Sequence, residues 1–358
     1  MKAVATTSSI LLLLSIAATT SAKFDPYQLN GGLVTAVAGK DYVLIASDTR
    51  LTDGGYGINS RRYLSGRIWS ASSSSLLQSS LACSPSVASS SWNVFPAQFE
   101  PDGSLSMPPR NSLNMPSQVG VDENELSVMS NSLHQVGYTS TTQTNLPVLI
   151  GSAGCASDCE SLKRRVRLEI DALEFDFPTG VTLGVQSIAN LLQQVLYGRR
   201  GFPFYSFCVV AGIDNRDCDG GTGAVYVYDA IGSFERVAVG CSGTARELLQ
   251  PILDRLFSES SKEVSDSDAG SQLGHHDVMS VSVTEQRMGV AGSLRPPVRT
   301  TVNCSWEEAV HNVARGYQAV AEREISVEDE IVICVLKTSG SQKRAPTLDM
   351  INFKLKKH

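Results

Sequence analysis

The first ordered pattern in the chain consists of two short apolar runs around a polar turn. The runs from Leu33 to Ala38 and from Tyr42 to Ser47 are rich in β-branched residues, and Gly39-Lys40-Asp41 separates them. Short apolar runs bounded by turn formers are typical of strands, so this region is predicted to be a β-hairpin.

A weaker strand pattern follows the hairpin, and two helical patterns come later. The strand is predicted from Gly57 to Trp69, with the arginines of that stretch projecting from it, and a buried strand is predicted from Pro147 to Gly151. The runs from Leu162 to Leu173 and from Val185 to Leu196 carry apolar residues at helical spacing. The second helix is predicted to stop at Gly198 with a left-handed cap.

Three strand-like runs lie in the middle of the chain. They extend from Phe204 to Asp214, from Gly223 to Phe234 and from Glu235 to Gly240, with short turns between them. Connections this short favour an antiparallel meander. A helix is predicted from Ser242 to Phe257, with Pro251 introducing a kink or break.

The clearest helical signal lies near the end of the chain. Ser305 and Glu308 have the spacing of a capping box, and an apolar stripe runs from Trp306 to Val320. The run from Glu330 to Lys337 is predicted to be a strand, and Met350 to His358 a final one.

The order of these elements predicts the fold. Strands, two helices, strands, two helices and strands follow one another, which indicates an α+β fold. We expect two packed antiparallel sheets flanked by helices, a four-layer α/β/β/α sandwich. Residues 23–358 are interpreted as one domain with two low-complexity insertions, at about 70–145 and 258–299, which we expect to be largely disordered.

Composition excludes some classes of partner. The 358 residues carry a formal net charge of −6, and no element bears a basic stripe, so nucleic acid is not an expected partner. Residues 1–22 have the pattern of a secretory signal with cleavage after Ala22, although a removable pro-segment would also fit. Their apolar run is too short to span a bilayer, so no membrane contact is expected.

No metal or cofactor is expected. Cys155 and Cys159 have a C-x-x-x-C spacing, but no second pair stands nearby to complete a zinc site. His275-His276 lies in a polar stretch and is interpreted as solvated. The sequon at Asn303 has a meaning only in a secreted chain.

Several motifs together resemble one family. The segments FDPYQLNGG, IASDTRL, YGRRGFPFY, GAVYVYDAIGSFER, LLQPILD and AERE…EIVICVLK occur in this order. They resemble the β subunits of the 20S proteasome, in particular the non-catalytic type at the sixth position of the β ring. The resemblance covers most of the chain outside the leader and the insertions, and it implies the N-terminal-nucleophile hydrolase fold.

The resemblance also implies where an active site would lie. In active members, self-cleavage after a glycine exposes a threonine whose hydroxyl attacks the peptide carbonyl. Asp48 matches the family's Asp in the Asp-x-Arg triplet, and counting back from it places the nucleophile at Gly32, which has no hydroxyl. We interpret Asp48 and Arg50 as residues that fix the turn after the second strand.

The other positions implied by the resemblance are degenerate as well. The catalytic lysine would fall at Leu64 or Ser65, the late aspartate is Glu324, and the hydroxyl residue three places on is Val327. Ser242 matches a serine of the family, but a serine there would equally serve as the N-cap of the following helix.

Three functions remain open at this stage. The favoured one is a non-catalytic proteasome subunit, which the resemblance places with other α and β subunits in the stacked rings of the cytoplasm and nucleus, where ubiquitin-tagged proteins are degraded. The second is an active threonine-type peptidase that uses a non-standard nucleophile, such as Thr35. The third is a secreted protein, as the leader would allow.

Overall fold

A computed structural model describes the chain over residues 28–64, 66–71, 94–107, 146–176, 183–214, 221–267, 300–338 and 347–355. The predicted leader, most of both predicted insertions and His275-His276 lie outside these residues. Ser65, one of the two positions proposed for a lysine, also lies outside them.

Thirteen strands are present in the described residues. They are β1 (Leu33–Ala38), β2 (Tyr42–Asp48), β3 (Leu51–Thr52), β4 (Ile58–Ser60), β5 (Ile68–Ser70), β6 (Val94–Pro96), β7 (Leu149–Gly154), β8 (Ser206–Asp214), β9 (Thr222–Tyr228), β10 (Phe234–Val237), β11 (Val239–Gly243), β12 (Glu330–Lys337) and β13 (Thr347–Lys354). Sheet 1 has the order β11-β1-β2-β12-β13-β6, and sheet 2 has the order β10-β9-β8-β7-β5. All the pairs are antiparallel, and β3 and β4 form a separate ribbon.

In the part of the chain that the structure describes, four helices cover the outer faces of the sheets. They are α1 (Ala156–Asp176), α2 (Val185–Gly198), α3 (Arg246–Ser267) and α4 (Trp306–Ala321). Apolar residues of α1 and α2 pack on sheet 2, those of α3 and α4 pack on sheet 1, and a third apolar layer fills the space between the sheets. The described residues therefore form the predicted α/β/β/α sandwich.

The opening hairpin is confirmed, whereas two other strand predictions need correction. The stretch from Gly57 to Trp69 is not one strand, because β4 pairs with β3 and β5 pairs with β7 in a different sheet. The meander ends at β10. The chain then crosses at Ala238 to sheet 1, where β11 pairs with β1.

Three further predictions were wrong at their boundaries. Gly198 is the last residue of α2 and does not have a left-handed backbone, since the C-cap is Arg199 with φ −104°. Within the first predicted insertion, residues 94–107 are packed against the sandwich and include β6. The helix α3 continues to Ser267, beyond the predicted start of the second insertion.

The first of the two hydrogen bonds of the predicted capping box is confirmed. The backbone of Ser305 is extended, with φ −68° and ψ 160°, and its hydroxyl accepts a hydrogen bond of 3.2 Å from the backbone N–H of Glu308. We expect Ser305→Ala to lower the free energy of unfolding by about 1 kcal/mol, because an N–H of the first helical turn loses its partner. Thermal unfolding measures this loss, and an unchanged midpoint would contradict it.

Candidate functional site

The position predicted for the nucleophile lies at the start of β1. Gly31 and Gly32 both have left-handed backbones, with φ +73° and +99°. The carbonyl of Gly32 accepts a hydrogen bond of 3.0 Å from the backbone N–H of Thr244. Side-chain-bearing residues rarely adopt such a φ, so the backbone favours glycine at this position.

The guanidinium of Arg67 occupies the space that a side chain on residue 32 would need. A Cβ atom built on Gly32 would lie 1.1 Å from Nη1 of Arg67, which is far inside van der Waals contact. Nη1 donates to the carbonyl of Gly31 at 3.0 Å, and Nη2 donates to the carbonyl of Arg50 at 2.5 Å. The Arg67 side chain is 3% exposed. A buried cation therefore fills the place of the expected nucleophile.

Asp48 joins the start of β1 to the end of β2. Its Oδ1 accepts a hydrogen bond of 2.8 Å from the backbone N–H of Leu33, and its Oδ2 accepts one of 3.2 Å from the backbone N–H of Arg50. The same carboxylate lies 3.9 Å from Nη1 of Arg67. Complete burial raises the pKa of Asp48, although Arg67 and the backbone donors oppose the rise. These contacts agree with the turn-fixing role expected of Asp48.

Arg50 connects the end of β2 to the loop before β12. Its Nε and Nη2 donate to the carboxylate of Asp329 at 2.7 and 3.1 Å, and Nη1 donates to the carbonyl of Ile325 at 2.9 Å and to Glu328. Asp329 has a left-handed backbone with φ +72°, and Arg61 also donates to its carboxylate. Burial would raise the pKa of Asp329, but the two arginines lower it. The network holds a strained loop in place.

The predicted lysine position does not supply a cation. Leu64 is buried in the apolar layer between the sheets. Arg67 supplies the positive charge instead, from three residues further along the chain. Arg67 lies on the weak strand predicted from the sequence, and no role was expected for it. An arginine between Gly66 and the apolar pair Ile68-Trp69 was the signal that could have found it.

The remaining predicted site positions have structural contacts. Glu324 accepts hydrogen bonds from the backbone N–H and the hydroxyl of Ser326, at 3.1 and 2.8 Å. Val327 is fully buried in the layer between sheet 1 and its helices. A Cβ on Gly31 would lie 2.7 Å from Cβ of Ser326, so the Glu324 turn does adjoin the start of β1.

Ser242 is not a helix cap. It lies in β11, where it pairs with Val34, and its hydroxyl donates to the carbonyl of Cys208 at 3.3 Å. The helix that it was predicted to cap begins at Arg246.

Thr35 faces away from this region. It pairs with Ala46 and Cys241 in the middle of sheet 1, and its side chain is fully buried. The hydroxyl donates to Sγ of Cys241 at 3.4 Å and accepts from the hydroxyl of Tyr317 at 3.3 Å. Leu33 and Val37, on the same face of β1, pack in the layer that contains α3 and α4.

A small cleft opens beside Arg67. Its lining includes Gly31, Tyr63, Arg67, Ser152 and Cys159. The Ser152 hydroxyl accepts a hydrogen bond from the indole of Trp69 at 3.3 Å. Burial raises the pKa of the Cys159 thiol to about 12, so the sulfur remains protonated at neutral pH.

Comparisons with known proteins agree with this architecture. The family described as "Proteasome subunit" matches residues 128–273. Proteasome subunit beta type-1 of Drosophila melanogaster is 26% identical over 325 residues, which cover 91% of this chain and 90% of the relative. Proteasome subunit beta type-1-B of Carassius auratus is 27% identical over 318 residues, with 89% and 85% covered. The subunit beta type-1 of Dictyostelium discoideum is 26% identical over 242 residues, or 68% of each chain.

The four-layer sandwich and the edge of β1 define the class of the protein, the N-terminal-nucleophile hydrolase fold. Within that class, the chain is similar to proteasome subunits, and the relatives described above are β subunits. Across the described residues, no helix is long and apolar enough to cross a bilayer.

Proposed function

We propose that the chain is a β subunit of the proteasome core particle, in the type-1 position, and that it completes the ring without cutting peptides itself. The observation that carries the proposal is the guanidinium of Arg67 in the space beside Gly32. Threonine-type hydrolysis needs a hydroxyl nucleophile and a base. Glycine supplies no nucleophile, and a guanidinium stays protonated and cannot accept a proton.

An active peptidase that uses Thr35 is disfavoured by geometry. The Thr35 hydroxyl is buried under α4, and its backbone is paired with a strand on each side. Processing before Thr35 would remove Leu33, whose N–H binds Asp48 and whose carbonyl accepts from Tyr317. Cleavage there would therefore dismantle the start of β1.

The proposed partners are the other β and α subunits of the stacked rings. A closed ring of different subunits uses two distinct surfaces on each member. In this arrangement the peptidase activity of the threonine-type complex belongs to neighbouring subunits, and this chain contributes to ubiquitin-dependent protein breakdown by shaping the chamber. We place the complex in the cytoplasm and nucleus, with residues 1–22 removed as a pro-segment.

Purification of the tagged full-length chain from cytoplasmic and nuclear fractions tests the proposal. Native mass spectrometry should give a complex of proteasome mass with α and β partners, and N-terminal sequencing should give a start near Lys23 or Phe24. Complexes that carry Thr35→Val should hydrolyse peptides as the wild type does. A monomer, or a mature chain that starts at Thr35, would overturn the proposal.

A further inference from the structure

One side of the sandwich is closed by a segment that the sequence pattern did not predict to fold. We call residues 94–107 the clasp. On sheet 1, its strand β6 pairs with β13, where Phe95 stands opposite Met350. The backbone N–H of Ala97 then donates to the carbonyl of Leu348 at 3.1 Å. The clasp thereby covers part of the outer edge of β13.

The same segment continues onto the edge of sheet 2. The backbone N–H of Ser70 donates to the carbonyl of Gly103 at 2.8 Å, and the N–H of Leu105 donates to the carbonyl of Ile68 at 3.2 Å. These bonds lie along β5, the last strand of sheet 2. One stretch of chain therefore satisfies backbone groups at the edges of both sheets.

Apolar side chains hold the clasp between the sheets. Leu105 is buried in the layer that separates the two sheets, and Phe95, Phe99 and Met107 pack against the same layer. Removal of the clasp would expose this apolar surface together with two rows of unpaired N–H and carbonyl groups. Such edges are sites of strand addition by other chains.

A buried lysine fastens the clasp to α1. The Nζ atom of Lys163 donates to Oδ2 of Asp102 at 2.8 Å and to the hydroxyl of Ser104 at 2.6 Å, and Glu160 lies 2.9 Å away. The Lys163 side chain is 0% exposed, and a buried ammonium is tolerated only when it is paired in this way.

The same group of residues does not form a catalytic dyad. Lys163 contacts two carboxylates, those of Asp102 and Glu160, and the Ser104 hydroxyl itself donates to Asp102 at 2.7 Å. Burial would raise the pKa of Asp102, but hydrogen bonds from Lys163 and Ser104 lower it to about 2. These contacts hold the clasp against α1.

We propose that residues 94–107 act as an intramolecular clasp that covers part of the edge of each sheet on one side of the subunit, and that Lys163 is the residue that fastens it. The covered stretches of β13 and β5 are then unavailable for strand addition by a neighbouring chain. This inference does not depend on the absence of catalysis, since it concerns a different side chain cluster.

Hydrogen exchange measured by mass spectrometry on the purified assembly tests the proposal. In Lys163→Met, we expect at least tenfold faster exchange in peptides that cover residues 97–105 and β5, with little change in β8 and β9. The matched control is Arg164→Met, because Arg164 is the next residue on α1 and is 75% exposed. The control should exchange as the wild type does.

Two results would overturn the clasp. One is clasp exchange in the wild type as fast as in an unstructured peptide, and the other is an identical exchange pattern in Lys163→Met. If Lys163→Met does not fold, the double variant Phe95→Cys/Met350→Cys provides an independent test. Facing residues of an antiparallel pair lie within disulfide range, so mild oxidation should link them quickly. A folded double variant that does not form the disulfide would refute the pairing.

Discussion

Gly32→Ala is expected to destabilise the subunit by about 3 kcal/mol, which corresponds to a fall of roughly 10 °C in the unfolding midpoint. The new Cβ would meet Nη1 of Arg67 at 1.1 Å, and the backbone φ of +99° is one that alanine adopts only with strain. To relieve this clash, the buried guanidinium of Arg67 would have to break its hydrogen bonds to the carbonyls of Gly31 and Arg50. Thermal unfolding of the assembled subunit measures the effect.

Gly198→Ala is the matched control for this substitution. Gly198 ends α2, and a Cβ built on it meets no atom within 4 Å. The unfolding midpoint of Gly198→Ala should be unchanged or slightly higher, since alanine favours the helix. Equal behaviour of the two variants would mean that the space beside Gly32 is empty.

Gly32→Thr should gain no peptidase activity, because Arg67 occupies the space that the threonine side chain would need.

Arg67→Met is the second substitution with a large expected effect, a loss of about 3 to 5 kcal/mol. It leaves the buried carboxylate of Asp48 without its nearby cation, and it leaves the carbonyls of Gly31 and Arg50 without donors. Methionine keeps the unbranched start of the side chain and lacks the guanidinium, so the loss combines the charge, the hydrogen bonds and the space that the guanidinium filled. The unfolding midpoint of the assembled subunit measures it.

Arg61→Met tests whether burial explains that loss. Arg61 also binds a carboxylate, at 2.7 Å from Asp329, but its side chain is 63% exposed. Exposed ion pairs contribute about 0 to 1 kcal/mol, so this variant should differ little from the wild type. A similar loss of stability in Arg61→Met and Arg67→Met would show that the burial of Arg67 does not explain the effect.

The parts of the fold that depend on local pattern were predictable from the sequence. The opening hairpin is marked by two apolar runs around a polar turn, and Ser305 and Glu308 have the spacing of a capping box at the start of α4. The clasp was not predictable, because serine-rich chain surrounds it and because Leu105 and Lys163 stabilise it through contacts distant in sequence. The crossing at Ala238 likewise depends on which sheet has a free edge.

The candidate site was predictable in position but not in content. Counting back from Asp48 placed the nucleophile at Gly32, and counting along the segment RRYLSGR placed the lysine at Leu64 or Ser65. Position counting follows the backbone and does not register how far a side chain reaches. The long side chain of Arg67 brings its guanidinium back to the start of β1.

The strand order of sheet 1 has a consequence for biosynthesis. The strand β2 lies between β1, its neighbour in sequence, and β12, which is encoded near the end of the chain. During translation the hairpin therefore emerges long before β12, its second partner, has been made. Pairings of such long range form slowly and leave apolar strands exposed in the meantime. We expect the nascent subunit to depend on chaperones until its last strands are made.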